Sequence, residues 1–436
     1  MTPSRKGRFV RKLATAAVRA LYRRVDVYRG SEPLTAGPEL TVANHFGGFA
    51  DPLLLLAVLP RPAAILARNL IWRIPVVGWI MNRLGAIKVH KPEDGGGSND
   101  EMFADAHAAL AEGRHVMIFP EGVTRDDPSI AAIKTGAARI VLGARTRGTA
   151  GIAVTPAGIH YEDKAALRSS VSIHVGRPLW LDGSAPVLGG GPGDADDREA
   201  VRRLTDEIET RLRRVAPDFV DWHEARALTD AAEMVLRSLQ PDPARPVPIA
   251  QRDVVAGHLG RRPPGRRAKV LEAVDAYERD LEAVGLTDAQ LLAGVSGTRF
   301  LWSLLGWLVL TLVLAPFALI GLAVNLVPGL IVRAVGLVRA APAMMATLKP
   351  MAAIVAFGIT WGLVVWQAVA RLGPAGGAAI ALLLPVYGWT LIFVSEHAAL
   401  LWRAFRSWRG TRSPGELRDV LADDRSRVVA AVREAM

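Results

Sequence analysis

Residues 40–58 read Leu-Thr-Val-Ala-Asn-His-Phe-Gly-Gly-Phe-Ala-Asp-Pro-Leu-Leu-Leu-Leu-Ala-Val, and their order decides the fold class. Leu40–Ala43 is a short apolar and β-branched run of the kind that forms a buried strand. Gly47 and Gly48 let the chain turn, and Pro52 suits the first position of a helix running to Val58. A strand feeding a helix through a short turn is the repeating unit of an α/β sheet. The pattern recurs outward. Gly85–Val89, His115–Phe119, Ile152–Pro156 and Val171–Val175 read as strands, Asp100–Ala111 and Ala131–Ala144 as helices, and 197–215 as a charged helix. Gly95–Ser98 and Gly189–Pro192 read as flexible loops. The expectation is a mixed sheet flanked by helices, filling residues 31–215.

The 436 residues carry 53 Lys+Arg against 42 Asp+Glu, and both charge and apolarity are segregated. Nine of the first 30 side chains are basic, and Phe9, Val10, Leu13, Ala16, Ala17, Ala20 and Leu21 share one side of a helix. A basic amphipathic helix over 1–30 suits an anionic membrane surface, or else caps the following domain. At the other end, 300–332, 350–370 and 372–395 hold no Asp, Glu, Lys or Arg. A bilayer core needs about 20 apolar residues per helical crossing. Residues 299–402 are therefore expected as transmembrane helices, 216–298 as a polar helical linker and 403–436 as a cytoplasmic tail. Arg333, Arg339 and Lys349 follow the first apolar stretch, and Arg403, Arg406, Arg409 and Arg412 the last. Positive charge collects on the cytoplasmic side. That favours 300–332 as a hairpin of two short halves broken near Pro316 or Asn325–Pro328, with both termini and the α/β region cytoplasmic. The expected location is the cell membrane, multi-pass.

Several classes of chemistry are excluded. With no Cys there is no disulfide framework, thiolate metal site or acyl-cysteine intermediate. No Gly-x-Ser-x-Gly elbow is present, which removes the common serine-hydrolase arrangement. Basic stretches such as Arg261–Arg267 lack interleaved aromatics, so no nucleic-acid partner is expected. What remains sits at strand ends, where active sites of α/β sheets lie. His45 and Asp51 can form a base and its orienter, although Asp51 before Pro52 also fits a helix N-cap. Lys91, Arg125 and Lys134 can together hold a phosphate, Arg as a fork and Lys as a point charge. Two strand-and-turn blocks complete the set: Phe119-Pro120-Glu121-Gly122-Val123-Thr124-Arg125, and Thr155-Pro156 running on to His160-Tyr161.

In this order, Asn44-His45…Asp51-Pro52, Gly85-x-Ile87-x-Val89-x-Lys91, Phe119-Pro120-Glu121-Gly122…Arg125 and Thr155-Pro156 resemble the four blocks of the glycerolipid acyltransferases, over roughly residues 20–215. The five residues between His45 and Asp51, where four are commoner, resemble the fungal glycerol-3-phosphate and dihydroxyacetone-phosphate branch and its bacterial relatives. The resemblance implies an acyltransferase-type mixed sheet. It implies transfer of a fatty acyl group from acyl-CoA or acyl carrier protein to glycerol-3-phosphate or 1-acyl-glycerol-3-phosphate (lysophosphatidate), with membrane phospholipids as surroundings. His45 is then the general base, oriented by Asp51. Glu121, Gly122 and Arg125, with Lys91, bind the acceptor's phosphate and glycerol, and Pro156 shapes the acyl site. Lys91 stands where the family usually has Arg. No metal or cofactor is implied. Acylation of another lysolipid is the alternative within the class. Outside it stands a membrane transport or scaffold protein with a non-catalytic lipid-binding domain.

Overall fold

The computed structural model describes residues 5–29, 37–73, 75–90, 99–181, 194–242, 245–284, 287–293, 297–410 and 415–436. Lys91 and the two glycine loops lie outside the described residues. The chain divides into two compact units, one made of 1–225, 248–260 and 341–347, the other of 226–247, 261–340 and 348–436.

The first unit is built on an eight-stranded sheet. Its strands are β1 (Tyr22–Arg29), β2 (Glu39–Ala43), β3 (Ala63–Arg68), β4 (Ile87–Val89), β5 (His115–Ile118), β6 (Ile152–Tyr161), β7 (Ser169–Val175) and β8 (Leu179–Leu181). Their order is β1-β7-β6-β2-β5-β3-β4, with β8 also paired to β6. β6, β2, β5, β3 and β4 run parallel, whereas β7 and β8 are antiparallel to β6. Pro156 has no N–H to give a ladder, and it sits where β6 changes partner, between its pairings with β8 (Ile152–Val154) and β7 (Ala157–Tyr161). Its carbonyl accepts from the Gly176 N–H at 2.8 Å, and the residue is buried within the sheet rather than placed at an open surface.

Both faces of the sheet are covered. Helices α1 (Arg5–Leu21) and α2 (Ala50–Val58) pack on one, with Leu54 and Leu55 against Ala43, Met117 and Ile159. Helix α3 (Pro75–Leu84) precedes β4. Helices α4 (Asp100–Ala111), α5 (Gly136–Thr146) and α6 (Arg198–Val215) pack on the other face, against Leu40, Val42, Val116 and Val154. The α1 stripe differs from the expected one. The domain buries Ala14, Val18 and Leu21 and leaves Leu13 55% exposed, so the docked face is turned about 100° from the predicted one. Two further expectations are corrected here. The chain from 126 to 135 is irregular and α5 begins only at Gly136, because the Lys134 N–H, which a helix from Ala131 would turn back on Ile130, is taken by the Pro120 carbonyl at 2.9 Å. Part of the 216–298 stretch is no linker: after α7 (Trp222–Ser238), α8 (Ile249–Gly260) packs on β7 and β1. There the Ser172 hydroxyl donates to Asp253 at 2.5 Å, and the Ile249 N–H donates to Asp26 at 2.9 Å. Beside this contact the His160 and His174 rings lie 4.2 Å apart and tilted by 31°, and burial lowers the pKa of both imidazoles, that of His174 to about 2.

The second unit contains α9 (Pro264–Val284), α10 (Asp288–Ala293), α11 (Gly297–Val335), α12 (Pro342–Gly410) from Leu348 onward, and α13 (Gly415–Ala435). The expected hairpin in 300–332 is not formed: α11 is one helix of 39 residues that absorbs both Pro316 and Pro328. Helix α12 breaks at Gly373 (φ 75°, ψ 178°) into two arms. These fold back on each other, since a methyl on Gly388 would lie 3.6 Å from Trp361, a residue 27 positions earlier in the chain. Asn325 is buried and ties α11 to the first arm, accepting from Trp361 Nε1 at 2.8 Å. A methyl on Gly321 would come within 2.4 Å of the Tyr387 carbonyl, so α11 also packs closely on the second arm. Small residues and interhelical hydrogen bonds are how helices associate in lipid. Leu304–Val335 and Pro342–Trp402 are long and apolar enough to cross a bilayer, and their outward faces are apolar. The expected tail is likewise ordered in its described part. α13 runs antiparallel to α9, with Val428 and Val432 buried and Lys269 paired to Glu434 at 2.8 Å. Arg425 meets Asp288 at 2.7 Å in the same unit.

Candidate active site

The carboxyl ends of the neighbouring strands β6, β2 and β5 bring three separated pieces of sequence to one edge of the sheet. β2 delivers Asn44 and His45, β5 delivers Phe119–Arg125, and β6 delivers Tyr161. Asn44 continues the strand pairing with its side chain. Its Oδ1 accepts from the Ile159 N–H at 2.7 Å, and its amide donates to the Ile159 carbonyl at 3.0 Å. That bidentate contact fixes the point from which His45 leaves the sheet.

His45 Nδ1 donates to Asp51 Oδ2 at 2.9 Å. Asp51 is fully buried, and its oxygens also accept from the Gly47 N–H at 2.9 Å and the Tyr161 hydroxyl at 2.5 Å. Three donors on a buried carboxylate offset its lost hydration. The N-cap reading of Asp51 is set aside by this geometry: α2 begins after Phe49 with no side-chain cap, and the Asp51 carboxylate points back to His45. A side chain at Gly47 would collide with this cluster, its Cβ falling 2.3 Å from the Tyr161 hydroxyl. With Nδ1 committed to the carboxylate, the neutral imidazole carries its lone pair on Nε2, the arrangement of a general base. The ring is stacked on Phe119 at 4.4 Å and is 22% exposed, so it faces out from the sheet edge.

Glu121 differs from its expected role. It is 1% exposed, and its two oxygens accept from the His45 N–H at 2.8 Å and the Ala131 N–H at 2.9 Å. The carboxylate therefore ties the His45 loop to the two ends of its own loop instead of facing a ligand, and burial raises its pKa. Gly122 takes φ +67°, a left-handed turn that favours glycine, and a methyl there would sit 3.0 Å from Lys134 Nζ. Lys134 is exposed and its ammonium lies over this turn. Arg125 is half exposed and pairs with Asp127 at 3.1 Å. Arg125, Lys134 and His45 thus share one end of the sheet. Pro156 lies inside the sheet, as described above.

Two residues were missed from sequence. Tyr161 closes the Asp51 cluster from the end of β6, and burial beside Asp51 drives its pKa well above the usual phenol value. Lys164, only 7% exposed, pairs with Asp126 at 2.8 Å and donates to the Arg125 carbonyl at 3.0 Å. Neither carries a local signal, since each partner is far away in sequence. Tyr161→Phe keeps the packing and removes one donor from Asp51. It is expected to lower kcat by about three- to tenfold, on the scale of one hydrogen bond, with KM for either substrate unchanged; steady-state kinetics checks it.

Comparison with known proteins fits this geometry. The acyltransferase family model matches residues 25–160. The chain is 30% identical over 199 residues to glycerol-3-phosphate O-acyltransferase 2 of Saccharomyces cerevisiae, covering 44% of this chain and 26% of that one. A 1-acyl-sn-glycerol-3-phosphate acyltransferase of Chlamydomonas reinhardtii is 30% identical over 149 residues, 34% of this chain and 42% of its own length. Residues 25–160 are therefore similar to the acyltransferase domain that these glycerolipid acyltransferases carry. The lyso-ornithine lipid O-acyltransferase of Pseudomonas aeruginosa is a further relative of this acyltransferase domain, 32% identical over 126 residues, 28% of this chain and 43% of that protein. The chain thus spans less than half the length of each of these relatives. The crystal structure of a 1-acyl-sn-glycerophosphate acyltransferase from Thermotoga maritima overlays 47% of this chain and 77% of its own, with a TM-score of 0.36 at 20% identity.

Proposed function

We propose that this acyltransferase moves a fatty acyl group from a thioester donor, acyl-CoA or acyl carrier protein, to a hydroxyl of glycerol-3-phosphate or lysophosphatidate. The observation that carries the reading is the His45–Asp51 pair at 2.9 Å, held at the mouth of a sheet within the residues that match the acyltransferase model. His45 Nε2 takes the hydroxyl proton as the oxygen attacks the thioester carbonyl. Asp51 stabilises the imidazolium that results. When the tetrahedral intermediate collapses, the C–S bond breaks and His45 returns the proton to the departing thiolate. The steps use no metal, cofactor or covalent enzyme intermediate. Arg125 and Lys134 hold the acceptor's phosphate, and Lys91 is proposed to add a third cation.

The apolar helices α11 and α12 support a multi-pass membrane protein, and Arg339 and Lys349, which flank in sequence the α12 turn bonded to Asp126 and Phe49, support a cytoplasmic catalytic domain. The exposed side of α1, with Leu13, Ala16 and Ala20 bordered by Lys12 and Arg19, supports contact with an anionic leaflet.

The test is an assay of the purified full chain in phospholipid vesicles with labelled acyl-CoA or acyl carrier protein. Glycerol-3-phosphate, lysophosphatidate and lyso-ornithine lipid are offered separately. Transfer is expected only to the phosphorylated acceptors. Lys134→Ala is expected to raise KM for the phosphorylated acceptor about tenfold, the scale of one charged hydrogen bond, with kcat nearly unchanged. Transfer to the ornithine lipid alone, unaffected by Lys134→Ala, contradicts phosphate recognition.

A further inference from the structure

The first turn of α12 belongs to the same compact unit as the sheet, and it touches both loops that make the site. Its leading amides have no partner within the helix, as at any helix start. The Ala343 N–H donates to Asp126 Oδ1 at 2.7 Å. Asp126 is also the partner of Lys164, which holds the Arg125 carbonyl, so this end of the turn is fastened to the loop after β5. One helical turn later, Thr347 Oγ1 accepts from the Phe49 N–H at 3.3 Å. Phe49 heads α2, where its own backbone donor lacks a helical partner and no side chain caps the helix. Gly48, at φ +55°, lets Thr347 come this close, since a methyl there would lie 2.3 Å from the threonine oxygen. Between these two hydrogen bonds Met345 and Ala346 are buried, at 5% and 3% exposure.

We infer that Thr347 is a positioning residue for the His45–Asp51 loop, so that acyl transfer depends on the docked start of an apolar, bilayer-length helix. Thr347 does not touch the reacting atoms. It fixes Gly48 and Phe49, which lie between His45 and Asp51, while Asp126 anchors the same turn to the loop carrying Arg125. The role in turnover rests on the acyl-transfer reading; the effect on the loop does not.

The experiment uses the full chain in vesicles and compares Thr347→Val, which keeps the shape and removes the acceptor, with Thr347→Ser, which restores it. Asp126→Asn is the second variant. Each is read by steady-state kinetics and by hydrogen–deuterium exchange of the 45–50 amides. Thr347→Val is expected to lower kcat about tenfold with KM for both substrates within about twofold, the loss of one hydrogen bond acting on the loop. Its 45–50 amides are expected to exchange faster while the sheet amides stay protected. Thr347→Ser is expected to match the parent, and Asp126→Asn to lower kcat in the same way. Unchanged kcat and unchanged exchange in Thr347→Val overturn the proposal, as does a rise in KM with kcat intact. If the parent chain transfers no acyl group, the functional reading has failed. Exchange at 45–50 then decides the positioning role alone.

Discussion

Replacing His45 by alanine is expected to lower kcat for acyl transfer by a factor between about a hundred and ten thousand, the range for loss of a general base. A glycerol hydroxyl is a weak nucleophile at neutral pH, and no other described side chain is placed by Asp51 to take its proton. The fold should survive. Glu121 holds His45 through its backbone N–H, which alanine keeps. The stacking on Phe119 and one of the three hydrogen bonds on Asp51 are lost, while its Gly47 and Tyr161 donors remain. Binding of both substrates should therefore change little, leaving the loss in kcat. Measured kcat and KM, with a thermal midpoint close to the parent's, check this result.

Asp51→Asn is expected to be the next most damaging change, also at about a hundredfold or more. The amide has the shape of the carboxylate. It can keep its oxygen toward His45 and Gly47 and turn its NH2 to Tyr161, whose hydroxyl can accept instead of donate. What is lost is the negative charge beside the imidazolium as the proton arrives. The two residues act as one unit, so the double variant should be no slower than His45→Ala alone. Additive losses in the double variant would mean that Asp51 acts on something other than His45.

The sheet was legible where strands are marked by β-branched or aromatic residues, and β3, Ala-Ala-Ile-Leu-Ala-Arg, was not read because its alanines carry no such mark. Leu40–Ala43, His115–Phe119 and Val171–Val175 each match an observed strand to within a few residues. β1 was not read, because Tyr-Arg-Arg-Val-Asp-Val-Tyr-Arg mixes charge into every turn of the pattern. It is an edge strand paired only with β7, and its charges are met by partners such as Arg24 with Asp26 at 2.9 Å. α11 was expected to break because proline removes a helical hydrogen bond, yet the apolar stretch carries the helix through both prolines. At the site, His45 and Asp51 were readable because they are six positions apart on one loop. Tyr161 lies 110 positions from Asp51 and Thr347 lies 298 from Phe49, so only the folded chain brings them together. Glu121 carried the right motif and the wrong role, since its burial by the His45 and Ala131 amides is a tertiary fact.

The most direct test of acyl transfer at this site is formation of labelled product from acyl-CoA or acyl carrier protein and glycerol-3-phosphate or lysophosphatidate, by the full chain and by His45→Ala in identical vesicles. The account predicts product with the parent and at least a hundredfold less with the variant, on the scale of general-base loss. Equal rates for the two proteins, or no product from any of these donor and acceptor pairs, would contradict it.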